Sequence, residues 1–264
     1  MPEGDTVFRA ARLLDRALSG KVLLVSDFRV PQLATVDLAG ARVTTTVARG
    51  KHLLTRIATE DTSWTLHTHL KMEGAWRIHR DEERWSRPAH QARVVLGVAG
   101  ASAVGYSLGI VELVETAAED TVVGHLGPDL LGPDWDESEA LRRIAAGPER
   151  EIGDALRDQT NLAGLGNMYV AELCFVSGVH PRRLAGEIDA LPRMVRRGRQ
   201  MLDLNKERAI QSTTGDLRER MRMWVYRRDR SPCRRCGTTI QVDQQGESGR
   251  ERAIYFCPAC QPAP

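Results

Sequence analysis

The chain begins Met-Pro-Glu, and its second and third residues could act together as a nucleophile and an acid or base. Pro2 has a small side chain that usually allows Met1 to be removed, which would leave a secondary amine at the N-terminus. An α-amino group titrates near about 8, so part of it is neutral and nucleophilic at cellular pH. The carboxyl group of Glu3 would lie beside that amine. Many proteins begin Met-Pro for processing reasons alone, so this dipeptide needs support from the rest of the chain.

Four of the five cysteines fall into two pairs with the spacing of a zinc ribbon. Cys233 and Cys236 form the first pair, and Cys257 and Cys260 form the second. Four thiolates would surround one tetrahedral ion and leave no position open for water, so we predict one structural Zn²⁺. Two disulfides are the alternative, but no secretion signal indicates an oxidising compartment. The fifth cysteine, Cys174, lies on an apolar helix face and is predicted to be a core residue.

The segment "LAGLGN" could form an anion site at the start of a helix. Gly164 and Gly166 are predicted to break one helix, and Asn167 is predicted to begin the next. Backbone N–H groups at a helix start can face an anion, with help from the helix dipole. A tight turn between two helices would explain the same glycines equally well.

These residues need elements to position them, and the first is a helix. Asp5 can cap it, apolar residues recur at helical spacing, and Gly20 ends it. Short segments rich in Val, Thr and Ile follow, separated by turn residues, and they predict an antiparallel β-sandwich. The segments are "KVLLVSDFRV", "ARVTTTVA", "KHLLTRIA", "SWTLHTHL", "AWRIHR" and "QARVVLGVA".

The chain is predicted to be an α+β multidomain protein with three parts. An N-terminal domain of one helix plus the β-sandwich covers residues 1–126, and glycines and prolines mark a linker over 127–135. A helical domain covers residues 136–223. The last part, 224–264, is the small zinc-ribbon hairpin module with the paired cysteines.

The composition, 42% hydrophobic and 27% charged, is that of a soluble globular protein. The uncharged stretch from Val94 to Val111 nearly reaches membrane-span length. Its four glycines and two serines favour two buried strands joined by a turn instead. We therefore expect a soluble, cytoplasmic protein without a membrane partner.

Basic charge gathers towards the C-terminal end of the chain. Residues 1–150 carry a net charge of −3, whereas residues 181–264 carry +8. This asymmetry suits a polyanionic partner such as nucleic acid, although a solvated arginine-rich surface would explain it equally well.

Three motifs from three parts of the chain occur together in one known family. The stretch "DQTNLAGLGNMY" resembles the helix-two-turn-helix of the formamidopyrimidine-DNA glycosylase and endonuclease VIII family of base-excision repair enzymes. The same family begins Met-Pro-Glu and ends in a four-cysteine zinc ribbon, so the resemblance covers nearly the whole chain. It implies a bifunctional DNA glycosylase and abasic-site lyase that acts on damaged DNA, and we expect a monomer associated with the bacterial nucleoid.

The resemblance assigns chemistry to the N-terminus. Pro2 would attack C1′ of the damaged nucleotide and form a Schiff base that leads to strand cleavage by β,δ-elimination. Glu3 is similar to the acid of the family, which would protonate the sugar ring oxygen.

The resemblance also assigns DNA contacts. Lys51, in "ARGKHLL", and Asn167 match residues that bind the backbone beside the lesion, and Arg252, in "RAIYFC", matches the zinc-hairpin arginine that clamps phosphates. Arg250 is two residues away, and both arginines could instead be solvated. Met72, in "HLKMEGAWR", matches the wedge residue that fills the place of the extruded base.

Three departures from the family pattern bear on the substrate. Thr6 stands where many members have a second glutamate, after "GD" instead of "GP". The wedge loop of the formamidopyrimidine branch is replaced by "GYSLGIVE", and only "GDLRERMRMW" separates Thr214 from "VYRR", where that branch has a long capping loop. We therefore predict the endonuclease VIII branch and oxidised pyrimidines as substrates.

Two alternatives stay open. The first is a formamidopyrimidine-type glycosylase for oxidised purines. The second is a non-catalytic zinc-ribbon DNA-binding protein, which would have no need of Pro2 and Glu3.

Overall fold

The computed structural model of the protein describes residues 2–249 and 251–264, which form two compact units. The first unit contains Pro2 and Thr6–His125, and the second contains Glu3–Asp5 and Leu126–Pro264. The expected removal of Met1 and the possible solvation of Arg250 concern residues outside the described ranges.

The first unit combines a helix with two four-stranded antiparallel sheets, as predicted for a sandwich. Helix α1 spans Gly4–Leu18, and a short helix, α2, spans Asp120–Val123. One sheet has the strand order β1-β6-β7-β5 and the other β2-β3-β4-β8. The strands are β1 (Val25–Phe28), β2 (Arg42–Arg49), β3 (His52–Ala58), β4 (Ser63–His69), β5 (Ala75–Arg80), β6 (Ala92–Val98), β7 (Ala101–Tyr106) and β8 (Ile110–Glu115).

Helix α1 forms because its apolar residues recur on one face. Val7, Leu14 and Leu18 are buried in the core of the first unit with residues of both sheets. The predicted start is wrong in one detail: the helix begins at Gly4, and Asp5 lies inside its first turn. The reason is tertiary, because the Asp5 carboxylate accepts hydrogen bonds from Tyr169 and Gln211, which are distant in sequence.

The uncharged stretch from Val94 to Val111 contains most of β6 and all of β7, so its prediction as two buried strands is confirmed. Gly100, with φ of 84°, makes the turn between them. Within residues 2–249 and 251–264, no helix has the length and apolarity to span a membrane.

The second unit is built around a buried helix. Helix α5 (Asn167–Ser177) has no polar face turned to solvent along most of its length, and every residue from Met168 to Phe175 is buried, including Glu172, which is the pattern of a central helix. It begins at Asn167, as predicted, and is capped after Ser177 by Gly178 in the left-handed conformation. The other elements are α3 (Glu137–Ala145), α4 (Ile152–Arg157), α6 (Leu191–Asn205), β9 (Gln241–Gln245) and β10 (Arg252–Phe256).

The cysteine hairpin packs against α5 within the same unit. Phe175 of α5, Val225, Ile240 and two of the cysteines share one hydrophobic cluster. The division of this part of the chain into domains 136–223 and 224–264 stays a prediction. The prediction that Gly164 and Gly166 break a helix is wrong, because α4 already ends at Arg157 and both glycines lie in the connection over 158–166.

Candidate functional site

Glu3 is buried and its carboxylate binds the start of helix α5. The backbone N–H of Gly166 donates to Oε2 at 2.7 Å, that of Met168 to Oε1 at 2.8 Å, and that of Tyr169 to Oε2 at 3.4 Å. Three N–H donors and the positive end of the helix dipole stabilise the negatively charged form of a carboxyl group. The anion that the sequence predicts at this helix start is therefore the side chain of Glu3.

The glycines of the "LAGLGN" segment allow this close approach. A Cβ at Gly166 would lie 2.6 Å from Cδ of Glu3, and a Cβ at Gly4 would lie 2.9 Å from Cα of Gly164. The N–H of Gly4 donates to the carbonyl of Gly164 at 2.9 Å. Gly164 has a φ of 115°, which side-chain-bearing residues rarely adopt. The turn and the anion site are thus one arrangement.

Asn167 connects this helix start to the cysteine hairpin. Its Nδ2 donates to the carbonyl of Ala253 in β10 at 2.7 Å, and its Oδ1 accepts from Arg157 of α4 at 3.2 Å. Ala253 follows Arg252, whose side chain is exposed at the start of β10. Asn167 and the backbone beside Arg252 are therefore in direct contact.

Sequence reasoning missed a second link between the hairpin and the helices. Gln245 lies opposite Arg252 in the hairpin and is buried. Its Oε1 accepts from Arg157 at 2.7 Å, and its Nε2 donates to Glu151 at 2.6 Å and to the carbonyl of Pro181 at 2.9 Å. A glutamine in a polar strand gives no sequence signal for this role, because nothing local indicates its burial.

Pro2, Lys51 and Met72 belong to the first unit. Lys51 lies in the two-residue turn between β2 and β3, after Gly50, which has a φ of 58°. Met72 lies in the turn after β4, and its side chain is 59% exposed. It is therefore not a core residue of a strand, as a methionine often is. Met72 and Thr6 line one cavity of about 520 Å³.

Three histidines lie close together on β3 and β4: His52, which directly follows Lys51, and His67 and His69. His52 Nδ1 lies 2.8 Å from His67 Nε2, and His67 Nδ1 lies 3.0 Å from an oxygen of Glu112. Burial, followed by the charges of neighbouring His69 and His67, lowers the pKa of His52 to about 3. Burial lowers the pKa of His69 to about 4. Both rings are therefore neutral at pH 7 and add no positive charge beside Lys51.

The four paired cysteines form a group that could hold a metal ion. Their Sγ atoms all lie within 4.8 Å of one another, and three of the separations are 3.4, 3.5 and 3.9 Å. Thiolates that bind one tetrahedral ion at about 2.3 Å lie about 3.8 Å apart, so the donor set fits such an ion. None of the five cysteines, all described, forms a disulfide. Cys174 is buried, as predicted, and burial raises its pKa to about 12.

Comparison with known proteins follows the same division of the chain. Residues 1–107 match the formamidopyrimidine-DNA glycosylase N-terminal domain, and residues 126–203 match the formamidopyrimidine-DNA glycosylase H2TH domain. A protein of Streptomyces coelicolor named "Probable endonuclease 8 2" is 51% identical over 100% of this chain and 95% of its own length. The chain belongs to the formamidopyrimidine-DNA glycosylase family.

Other members of the family agree with this assignment. The "DNA-(apurinic or apyrimidinic site) lyase Nei2" of Mycolicibacterium smegmatis is 48% identical over the full length of both chains. "Endonuclease 8" of Escherichia coli is 32% identical over 99% of this chain and all of its own. Lactococcus lactis Fpg, solved with DNA that contains N7-benzyl-Fapy-dG, is 23% identical with a TM-score of 0.80 over 99% of this chain and 100% of its own. The last comparison confirms the predicted fold.

Proposed function

We propose that this protein is a base-excision repair enzyme, a DNA glycosylase that also cleaves abasic sites. The observation that supports this best is the buried Glu3 carboxylate, held by three N–H groups directly after Pro2 in the chain. Relatives at 44–51% identity carry the names endonuclease 8 and DNA-(apurinic or apyrimidinic site) lyase. A non-catalytic DNA-binding protein would gain nothing from a buried carboxylate fixed beside its N-terminal amine.

The proposed reaction begins at the amine of Pro2. The nitrogen forms a bond to C1′ of the damaged nucleotide, and the bond from C1′ to the base breaks; the base leaves with the bonding electron pair and takes a proton from solvent. Opening of the sugar ring then gives an iminium between the nitrogen and C1′, and β,δ-elimination cleaves the strand on both sides. Because its N–H partners favour the carboxylate form, Glu3 accepts the proton that Pro2 loses on attack and passes it to the ring oxygen.

Replacing Glu3 with glutamine is expected to lower base excision far more than cleavage of a preformed abasic site. An amide cannot carry the proton, and its NH₂ group would face backbone N–H donors. Loss of a general acid–base group costs about 10²–10⁴-fold in rate. Single-turnover cleavage of a lesion oligonucleotide and of its abasic counterpart measures the two effects. Equal losses on both substrates would show that Glu3 acts only in folding or DNA binding.

We propose that Lys51, Asn167 and Arg252 bind the phosphates around the lesion. Lys51 lies on a tight turn, and Arg252 is exposed on a strand. Both elements have a defined backbone conformation, which suits side chains that contact phosphates. Asn167 gives one Nδ2 hydrogen to Ala253 and has a second one for a phosphate oxygen. Met72, exposed in its turn, is proposed to fill the gap left by the extruded base.

We propose that the four-cysteine group holds one structural zinc ion. Soft thiolates in a tetrahedral set favour Zn²⁺, and such a site takes no part in the bond changes at the sugar. Its contribution is to fix the hairpin that carries Arg252. The monomeric state and association with the nucleoid stay predictions.

Oxidised pyrimidines and abasic sites are expected to be cleaved faster than 8-oxoguanine paired with cytosine. The described segment between Thr214 and Val225 is ten residues long and contains a short turn of helix, Glu219–Met221, so it is too short to cover an extruded purine. Selectivity then depends on how easily a base leaves the stack, and saturated pyrimidines leave at low cost. Single-turnover cleavage of matched oligonucleotides with thymine glycol, dihydrouracil, an abasic site or 8-oxoguanine measures the order. Fastest cleavage of 8-oxoguanine would favour the formamidopyrimidine-type alternative; a Paracoccus denitrificans protein named "Formamidopyrimidine-DNA glycosylase" is 33% identical to this chain.

A further inference from the structure

Asp5 is a buried carboxylate for which the proposed reaction has no role. It is 1% exposed in the first turn of α1. The hydroxyl of Tyr169 donates to its Oδ2 at 3.0 Å, and Nε2 of Gln211 lies 2.9 and 3.0 Å from its two oxygens. Burial of a carboxylate costs desolvation free energy even when the group is hydrogen-bonded, so a buried carboxylate in this turn suggests a functional role.

Tyr169 contacts both carboxylates of the N-terminal segment. Its backbone N–H donates to Glu3 at 3.4 Å, while its hydroxyl donates to Asp5. Burial raises the pKa of Tyr169, and the charge of Asp5 raises it further, so the hydroxyl stays protonated and donates across the physiological range.

Glu3, Gly4 and Asp5 thus all form hydrogen bonds to helix α5 or to the turn that precedes it. Glu3 binds the backbone at the start of α5, Gly4 binds the carbonyl of Gly164, and Asp5 binds the Tyr169 side chain. The Asp5 contact uses the side chain of Tyr169 rather than the backbone of α5, so it restrains the position of that helix start relative to Glu3.

We propose that Asp5 is a positioning residue for Glu3. Through Tyr169 it holds the N–H groups of α5 in the arrangement that binds the Glu3 carboxylate. This inference rests on the proposed role of Glu3 in base excision. An asparagine at position 5 has one acceptor oxygen in place of two and carries no charge, so the hydrogen bonds from Tyr169 and Gln211 would be weakened.

The test is a double-mutant cycle between Asp5→Asn and Glu3→Gln. Single-turnover base excision and cleavage of a preformed abasic site are measured for both single variants and the double variant. Borohydride trapping gives the active fraction of each preparation. We expect Asp5→Asn to lower excision about tenfold more than abasic-site cleavage, and to have almost no further effect on excision when Glu3 is already glutamine.

Asp15→Asn is a matched control, because it makes the same substitution in the same helix. Asp15 accepts hydrogen bonds from Ser19, Thr45 and Thr46 within the first unit. It should lower thermal stability and leave the ratio of the two activities unchanged. Tyr169→Phe keeps Asp5 and removes only its hydroxyl donor, so it tests the same step if Asp5→Asn does not fold.

The outcomes separate this inference from the proposed function. If Glu3→Gln changes the ratio and neither Asp5→Asn nor Tyr169→Phe does, Asp5 is structural and the inference is wrong. An Asp5→Asn effect of equal size with and without Glu3 overturns it as well. If Glu3→Gln itself leaves the ratio unchanged, the proposed role of Glu3 fails first.

Discussion

Extending the chain by residues that precede Pro2 is expected to abolish covalent trapping on abasic-site DNA. The extension converts the secondary amine into an amide, which is no nucleophile, and removal of a nucleophile costs on the order of 10³-fold or more. An uncleaved N-terminal tag provides the extended form, and its proteolytic removal to expose Pro2 restores the native one. Borohydride reduction followed by intact-mass measurement counts the adduct in each sample.

The matched variants locate the reactive nitrogen. Pro2→Gly keeps a primary amine, so we expect reduced trapping with some activity left. Lys51→Gln removes a lysine amine but leaves Pro2, so the adduct should still form, although phosphate binding weakens. An adduct mapped to an internal lysine, or normal trapping by the extended chain, would contradict the Schiff base at Pro2.

Elements with a strong local pattern could be predicted from the sequence. Helix α1 has Val7, Leu14 and Leu18 on one face. The strands of the sandwich are short segments rich in Val, Thr and Ile that are separated by turn residues. The conformation of each of these segments can therefore be predicted from its own residues. The cysteine pairs could be predicted for the same reason, because two ligands lie close together in each pair.

The role of the segment around Gly164 and Gly166 could not be predicted from its own residues, because the group that it binds is distant in sequence. The N–H of Gly166 binds Glu3, 163 residues away, and Asp5 binds Gln211, 206 residues away. The local sequence predicts that Asp5 caps the helix, yet its carboxylate accepts hydrogen bonds from Tyr169 and Gln211, which are distant in sequence. Gln245 was missed for the same reason, since its partners lie on α4 and at Pro181. Sequence patterns record periodicity, whereas these contacts depend on how the chain folds back on itself.

Removal of the proposed zinc ion is expected to weaken binding to abasic-site DNA at least tenfold. Without an ion, four thiols within 4.8 Å lose the interaction that holds them together, and hairpins of this size rarely stay folded alone. Arg252 would then lose its rigid mount. Elemental analysis before and after chelation, with DNA affinity measured on the same samples, tests the expectation, and zinc content near zero in folded, DNA-binding protein would falsify it.

The variant Arg252→Gln shows whether the metal acts through the hairpin arginine. It should keep its metal and lose affinity, with the salt dependence of binding reduced by about one ion pair. Chelation of this variant should then cost less affinity than chelation of the native chain, because the phosphate contact is already absent. If the two losses were fully additive, the metal would support DNA binding through surfaces other than Arg252.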